Sequence, residues 1–166
     1  MATISLQGQE LHSNGELPAV GARALDFTLV NGKLENCTLE SFSGKKKLIS
    51  IVPSLDTPVC ATSTKRFNDL AKERDDLVVL IVSADLPFAQ DRFCGVENIR
   101  NVVPLSMMRS RNFAKDYGVL LTDGPLQGIT ARAVVVLDEG NNVVYGELVP
   151  DIASEPDYDA AIAALA

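Results

Sequence analysis

Cys60 is the residue whose setting most clearly suggests chemistry. It lies in the stretch PSLDTPVCATSTKRF, residues 53–67, after a proline-containing turn and at the start of a polar run with helical spacing. Unpaired backbone N–H groups at a helix N-terminus carry partial positive charge, which stabilises a thiolate over a thiol. Pro53 and Pro58 stiffen the approach to the sulfur, and Thr57 can place its hydroxyl beside the sulfur or beside a bound oxygen. The sequence therefore predicts a thiol that is positioned to react.

Ionisation alone would give this thiol only a small part of an enzyme's rate. An ordinary cysteine is a few per cent thiolate at pH 7, so complete ionisation gains roughly 30-fold, whereas enzymes typically accelerate reactions by ~10⁶-fold or more. The rest must come from groups that orient the second reactant and stabilise moving charge. Arg132 is the best candidate for a cation, because an arginine opening so apolar a run as ARAVVVLD is unusual. The alternative interpretation is an exposed charge at a strand end.

The sequence around the other two cysteines and the single histidine predicts a different role for each. Cys94 lies in the polar, helix-like stretch AQDRFCGVEN, so mobility and partial exposure are expected there. Cys37, in LENCTLESF, is expected near the surface with nothing beside it to activate it. His12 is expected in a hairpin, which disfavours a Cys-His catalytic pair. Because the cysteines are far apart and lack CxxC spacing, no metal site is expected.

Composition and charge restrict the classes of protein open to this chain. Its 166 residues are 46% hydrophobic and 22% charged, which predicts one globular domain over residues 1–166. A net charge of −7 disfavours nucleic acid and anionic membranes as partners, since both require a basic face. The N-terminus lacks the features of a secretion signal, and no apolar run approaches the ~18 residues of a membrane span. A reducing, cytoplasmic location is therefore expected.

Buried strands alternate with helices along the chain. Three near-continuous apolar, β-branched runs predict strands covered on both faces, namely KLISIVP, LVVLIVSA and ARAVVVLD. NNVVYGELV, after the turn DEGNN, completes a hairpin with the third of these strands. Phe67, Leu70 and Ala71 recur at helical spacing and predict an amphipathic helix over about 61–74. The order of elements is that of an α/β sandwich with a mixed central sheet.

Shorter elements are expected at both ends of the chain. The first 17 residues alternate loosely around Asn14-Gly15, which predicts a short N-terminal hairpin. SRNFAKDYGV predicts a helix that ends at Gly118. SEPDYDAAIAALA predicts a C-terminal helix with a serine cap and an early proline.

Pro53, Thr57 and Cys60 form the pattern Pro-x-x-x-Thr-x-x-Cys, which resembles the active-site signature of the peroxiredoxins. The run VSADLPFAQDRFCG, residues 82–95, is similar to the bacterial thiol peroxidase subfamily, an atypical two-cysteine type. So are DGPLQGITARAVVVLDEGNNVVYGELV and the ending EPDYDAAIAAL. The similarity covers essentially the whole chain, and the two motifs at this separation are together a strong indication.

This resemblance implies a thioredoxin-like fold with an N-terminal β-hairpin, and a homodimer. It implies an antioxidant peroxidase that reduces hydrogen peroxide and organic hydroperoxides. Cys60 would be the peroxidatic cysteine and Cys94 the resolving cysteine, joined in an intramolecular disulfide that thioredoxin reduces. The resemblance assigns Pro53, Thr57 and Arg132 to the shell that activates Cys60, and it requires no metal, flavin or haem.

Some alternatives remain open at the level of sequence. The Cys60–Cys94 disulfide could instead switch a redox-sensing interaction module, while a thioredoxin-type disulfide oxidoreductase lacks support because the CxxC pair is missing. Phe88 and Phe93 could line an apolar groove for long-chain hydroperoxides or form a dimer contact. A disulfide needs Cα atoms within about 7 Å, so one of the helical segments must unwind in each turnover if the sulfurs start further apart.

Overall fold

The computed structural model describes residues 1–166 and places a seven-stranded mixed sheet at the centre of the fold. The nine strands are β1 (Thr3–Leu6), β2 (Gln9–His12), β3 (Leu29–Val30), β4 (Asn36–Cys37), β5 (Lys46–Ile51), β6 (Leu77–Ser83), β7 (Val103–Ser106), β8 (Ala133–Leu137) and β9 (Val143–Leu148). The helices are α1 (Pro58–Lys72), α2 (Pro87–Val96), α3 (Asn112–Asp116) and α4 (Tyr158–Ala163), with a 3₁₀ helix at Leu39–Phe42. The predicted α/β fold with a mixed sheet flanked by helices is confirmed.

The sheet has the strand order β4-β3-β7-β6-β5-β8-β9, and β1 and β2 form a separate hairpin. Strands β5, β6 and β7 are parallel, whereas β8 runs antiparallel to β5. The carboxyl ends of β5 and β6 therefore lie side by side, together with the amino end of β8. This is the edge of the sheet at which the loop before α1, the loop before α2 and the residues before β8 come together.

Alternate residues of the central strands contribute to two hydrophobic cores, one on each face of the sheet. Ile49 and Ile51 of β5 pack into a core with the hairpin and α3, while Leu48 packs into a core with α1 and α4. This alternation follows from the two-residue period of a strand. Cys60 is part of the second core and has no exposed surface.

The N-terminal hairpin is present, but its predicted turn at Asn14-Gly15 was wrong. Leu6 pairs with Gln9, so the turn is formed by Gln7 and Gly8, which both have positive φ values, 51° and 87°. Two-residue hairpin turns of this kind favour Asn-Gly or Asp-Gly, so Gln-Gly is a weak signal. The Asn14 side chain instead binds the end of α3 and the chain just beyond it, because it donates to the Lys115 carbonyl and accepts from the Leu120 N–H.

Strand β7 was missed by the sequence analysis because it contains Pro104, which cannot donate a hydrogen bond in a sheet. The proline is accommodated because β3 pairs with β7 only at Val30 and Ser106, so Pro104 has a strand partner on one side only.

The expected serine cap of α4 was also wrong. Asp157 caps this helix, its side chain accepting from the Ala160 N–H at 3.0 Å.

Cys37 occupies a buried position in the central sheet. Cys37 lies in the short strand β4 but is only 8% exposed, so its expected place near the surface was wrong. Burial raises the pKa of its thiol and outweighs the opposing effect of a hydrogen bond with Asn31. None of the helices has the length and apolar character needed to cross a membrane.

Gly118 allows the end of α3 to pack against the segment that follows the hairpin. Its φ is +71°, and a Cβ at this position would overlap the backbone of Glu16. Gly44 has a similar φ of +82° but open space around its Cα, so it serves as a matched control.

We expect Gly118→Ala to lower the free energy of unfolding more than Gly44→Ala does. Both substitutions carry the left-handed backbone penalty of roughly 1–2 kcal/mol, and only Gly118→Ala adds overpacking, about 1–3 kcal/mol more. Urea unfolding of both variants measures the difference. Equal losses would show that the contact with Glu16 does not restrict position 118.

Candidate active site

Cys60 lies in the first turn of α1, which begins directly after a loop at the end of β5. Thr57 is the N-cap residue, and the first backbone bond of the helix runs from the Ala61 N–H to the Thr57 carbonyl at 3.1 Å. The N–H groups of Val59 and Cys60 therefore have no partner within the helix. They give the surroundings of the sulfur the partial positive charge that the sequence analysis expected.

Arg132 supplies a full positive charge to the same sulfur. Its Nη1 donates to Cys60 Sγ at 3.1 Å, and its Nε donates to the carbonyl of Ile152 at 3.0 Å. The side chain is only 3% exposed, so the interpretation of Arg132 as an exposed strand-end charge was wrong. A buried guanidinium is unfavourable without a compensating partner, and a thiolate on Cys60 would provide the negative charge.

The register of the sheet explains how residues 72 positions apart come together. In the antiparallel pairing of β5 with β8, Ile51 lies opposite Ala133, so Arg132 faces the start of the loop that leads to α1. Thr130 strengthens this junction, because its hydroxyl donates to the Val52 carbonyl at 3.1 Å. The position of Arg132 beside Cys60 is thus a consequence of strand pairing.

Thr57 and Pro53 lie in the same loop but do not contact the sulfur through hydrogen bonds. The Thr57 hydroxyl donates to the Ser54 carbonyl at 3.0 Å and does not cap α1. Its proton is therefore committed, while the oxygen remains able to accept a hydrogen bond from a bound molecule. Pro53 is buried and, like Thr57, faces a cavity beside Arg132.

This cavity has a volume of about 330 Å³ and a mostly apolar wall, a size that fits a small-molecule site. Its lining residues are Leu6, Pro53, Ser54, Thr57, Pro58, Val59, Leu126, Ile129, Arg132, Ile152 and Ala153. Cys60 has no exposed surface, so its sulfur lies behind this wall, one hydrogen bond from Arg132. Arg132 is thus the side chain that both lines the cavity and contacts the sulfur.

Cys94 lies near the end of α2 and is half-buried against the second core. Burial, with a smaller contribution from the Asp91 carboxylate, raises the pKa of its thiol to about 11. Cys94 is therefore protonated near pH 7 in this conformation. All three cysteines are free thiols, so the structure describes the reduced form.

Phe88 and Phe93 are placed on α2, away from the cavity that contains Arg132. They line a second cavity of about 450 Å³ together with Val96. Phe88 is 64% exposed, while Phe93 packs against the second core. Neither ring borders the first cavity, so the structure does not support a role for them in holding a substrate beside Arg132.

His12 is paired with carboxylates. Its Nδ1 lies 2.6 Å from Asp123 and its Nε2 lies 3.0 Å from Glu10. The hydrogen bond with Asp123 is the main reason why the pKa of His12 is raised. These contacts occupy both ring nitrogens, and neither involves Cys60.

Sequence reasoning missed Asp85, which lies in the loop between β6 and α2. Its carboxylate accepts hydrogen bonds from the Ser54 hydroxyl and the Leu55 N–H, both at 2.8 Å, and so binds the loop before α1. The one available signal was that parallel strands place their carboxyl ends at the same edge, which makes a polar residue after β6 a neighbour of the loop after β5. The order of the strands has to be known before this signal can be used.

A buried thiol that receives a hydrogen bond from an arginine, at a helix start beside an apolar cavity, defines a thiol-based redox enzyme. Residues 19–162 match the redoxin family. Thiol peroxidases from Mycobacterium bovis and Mycobacterium tuberculosis are each 52% identical to the chain over 165 residues. The alignment covers 99% of this chain and 99% of each relative. The chain therefore belongs to the redoxin family and, within it, to the thiol peroxidase subfamily of the peroxiredoxins.

Solved structures agree with this assignment. A peroxiredoxin-like protein from Aquifex aeolicus aligns with a TM-score of 0.92 and 42% identity, over 98% of this chain and 95% of that one. A thiol peroxidase from Chromobacterium violaceum aligns with a TM-score of 0.91 and 28% identity, over 98% and 94%. The resemblance inferred from the sequence and the thioredoxin-like fold that it implied are both confirmed.

We expect Arg132→Met to slow the oxidation of Cys60 by hydrogen peroxide about 10²–10³-fold, the usual effect of removing one preorganised donor from a site of developing charge. Stopped-flow measurement of the second-order rate checks this. Arg100→Met is the control, because Arg100 is exposed and its guanidinium bonds only to Asn98. If folded Arg132→Met reacted at a rate within about twofold of the parent, Arg132 would have no role in the oxidation, because the loss of a preorganised donor slows such a step far more than twofold.

Proposed function

We propose that this protein reduces hydrogen peroxide and organic hydroperoxides to water and alcohols in antioxidant defence. The reaction proceeds through a sulfenic acid on Cys60 and an intramolecular Cys60–Cys94 disulfide, which thioredoxin reduces. The observation that carries this proposal is the 3.1 Å hydrogen bond from Arg132 to Cys60 Sγ at the wall of an apolar cavity. It adds a positioned cation to a family membership that already implies peroxide reduction.

In the first step the Cys60 thiolate attacks the distal oxygen of the hydroperoxide. The S–O bond forms as the O–O bond breaks, so sulfur is oxidised to a sulfenic acid and the second oxygen departs as water or an alcohol after taking a proton. Arg132 Nη2 makes no hydrogen bond within the protein and can donate to the oxygens. The Thr57 oxygen can accept a hydrogen bond from the peroxide O–H, because its own hydroxyl proton is directed to Ser54; the proton taken by the departing oxygen comes from the hydroperoxide or from water.

In the second step the Cys94 sulfur attacks the sulfenic sulfur and expels its oxygen as water. Cys94 must lose its proton, and its pKa of about 11 in the folded form makes this unfavourable near pH 7. Burial is the main cause of the high pKa, so exposure of Cys94 would lower the pKa toward its ordinary value. Local unwinding of residues 57–65 and 88–97 would thus both bring the sulfurs together and prepare Cys94 to react.

Thioredoxin is the proposed reductant. An external dithiol attacks the Cys60–Cys94 disulfide, forms a mixed disulfide and then leaves oxidised, which restores both thiols. The family membership supports a reductant of this type. A cytoplasmic location, where such a reductant is present, stays a prediction from the sequence.

A homodimer is also proposed, on the basis of the apolar side chains exposed at α2. Leu86 is 52%, Phe88 64% and Val96 76% exposed. Burial of such side chains against a second copy of the chain would be favourable. Light scattering of the reduced protein tests the proposal, and a monomeric mass at micromolar concentration would contradict it.

A smaller apolar side chain in the cavity wall should change the preference between organic hydroperoxides and hydrogen peroxide. Leu6 projects into the cavity from the hairpin, outside the loop that carries Cys60. We expect Leu6→Ala to lower kcat/KM for cumene hydroperoxide by roughly tenfold, as the loss of about 1–3 kcal/mol of apolar contact predicts, and to leave kcat/KM for hydrogen peroxide nearly unchanged. Equal losses for both substrates would indicate that the cavity does not bind the organic group.

A pair of cysteine substitutions tests the proposed cycle. Cys60→Ser should abolish hydroperoxide consumption, because no other thiol has an activating cation. Cys94→Ser should consume one equivalent, accumulate the sulfenic acid and lose turnover with thioredoxin, its reductase and NADPH. Mass spectrometry and NADPH absorbance provide the measurements.

Cys37→Ser is the matched control for these substitutions, since Cys37 lies in β4 and contacts neither of the other cysteines' helices through hydrogen bonds. Full activity in Cys60→Ser would overturn the assignment. Formation of the disulfide without turnover by thioredoxin would instead favour the redox-sensing module, in which the same disulfide alters binding to a partner protein.

A further inference from the structure

We propose that Asp85 is a positioning residue that ties the segment carrying Cys60 to the segment carrying Cys94 and thereby sets how often the two open. This inference rests on the proposed function, because it concerns the balance between oxidation of Cys60 and its resolution by Cys94. Asp85 touches neither sulfur, and it acts through the loop before α1 and through the side chains that hold α2 on the sheet.

On the side of α1, the Asp85 carboxylate holds the two residues that follow Pro53. Oδ1 accepts from the Ser54 hydroxyl and Oδ2 accepts from the Leu55 N–H, both at 2.8 Å. Ser54 in turn receives the Thr57 hydroxyl on its carbonyl at 3.0 Å. The carboxylate therefore fixes the loop from which the first turn of α1 extends.

On the side of α2, the connection runs through Ser83 and Gln90. The Ser83 hydroxyl donates to Asp85 Oδ2 at 2.8 Å and accepts from Gln90 Nε2 at 3.0 Å. Gln90 also donates to the Leu105 carbonyl at 3.0 Å, which binds α2 to β7. Gln90 precedes Cys94 by four residues and so lies on the same face of α2. One chain of polar contacts thus joins the two cysteine-bearing helices.

Apart from this network, the two helices are joined by the ion pair of Lys65 with Glu97 at 2.6 Å and by packing in the second core. Each helix nevertheless has one feature that weakens its attachment. Thr57 makes no side-chain cap at the start of α1, because its hydroxyl is directed back to Ser54. Gln90 is only 1% exposed, yet its Oε1 has no hydrogen-bond partner. An unsatisfied buried carbonyl opposes burial, so it favours detachment of α2. Asp85 connects the two segments in which these features occur, because it accepts from Ser54 and from Ser83.

The two chemical steps place opposite demands on this network. Oxidation of Cys60 requires the closed form, in which Arg132 contacts the sulfur. Resolution requires an open form, in which the buried Cys60 and the half-buried Cys94 become accessible to each other. A variant that opens more often should therefore be oxidised more slowly and resolved more quickly. A change that merely misplaced Arg132 would slow the oxidation and would not accelerate the resolution.

Asp85→Asn tests the proposal in the full-length reduced protein. The substitution keeps the shape of the side chain but replaces one acceptor oxygen with a donor that faces other donors. Opening should become about tenfold more frequent, as expected when a hydrogen bond to a charged group is lost. Rapid-quench mass spectrometry after hydrogen peroxide addition follows the two steps separately. The ratio of the resolution rate to the oxidation rate should rise by about tenfold or more.

Asp56→Asn is the matched control, because this residue lies in the same loop and loses the same charge. Asp56 is exposed and its carboxylate makes no hydrogen bond, while its backbone N–H donates to the Ser54 hydroxyl. Its rate ratio should equal that of the parent. The yield of sulfinic acid at high peroxide gives a second readout, because faster resolution leaves less sulfenic acid for a second oxidation.

Hydrogen exchange of the reduced protein, without peroxide, tests the structural part of the proposal. Amides in residues 57–65 and 88–97 should exchange faster in Asp85→Asn than in Asp56→Asn. Ser54→Ala removes one hydroxyl donor to the carboxylate, so the same amides should exchange faster, but by a smaller factor. This variant tests the proposal if Asp85→Asn does not fold.

The possible results separate this inference from the proposed function. If the parent consumes peroxide but the rate ratio of the folded variants equals that of Asp56→Asn, the positioning role is wrong. If the parent does not consume peroxide, the proposed function is wrong, and the exchange data still decide whether Asp85 joins the two segments.

Discussion

The hydrogen bond between Arg132 and Cys60 is the interaction on which the proposed chemistry depends. A guanidinium and a cysteine sulfur are both buried at one edge of the sheet, and a thiolate on Cys60 would compensate the buried charge of Arg132. The pair exists because β8 runs antiparallel to β5, so that the residue before β8 meets the loop after β5. The fold therefore positions the cation by strand register, and no flexible segment has to bring it to the sulfur.

The same edge of the sheet holds the groups that control access to the sulfur. The parallel pairing of β5 and β6 sets the loop before α1 beside the loop before α2, and Asp85 joins the two loops by hydrogen bonds. The hairpin contributes Leu6 to the cavity wall from the other side. Cation, cavity and the two cysteine-bearing helices therefore converge on one edge.

The parts of this arrangement that sequence could predict depend on local patterns. The apolar runs identified β5, β6 and β8, because strands covered on both faces need unbroken hydrophobic residues. The place of Cys60 at a helix start followed from the prolines and the polar helical run. Arg132 was noticed because it is chemically out of place beside an apolar strand.

The parts that sequence could not predict depend on contacts between distant segments. Pro104 argued against β7, and only the absence of a partner on one side makes it acceptable there. The direction of the Thr57 hydroxyl depends on the local course of the loop, which brings the Ser54 carbonyl within reach. The contacts of Asp85 depend on which strands are neighbours, and no local pattern shows that.

In the proposed cycle, the full burial of Cys60 and the half-burial of Cys94 link reactivity to motion. The closed form keeps the arginine at the sulfur of Cys60, and the same form keeps Cys94 protonated because burial raises its pKa to about 11. The proposed opening would reverse both effects, because it would separate the arginine from the sulfur and return Cys94 to water. A single closed conformation therefore cannot serve both steps well. The polar network between the helices must be strong enough to protect the first step and weak enough to permit the second.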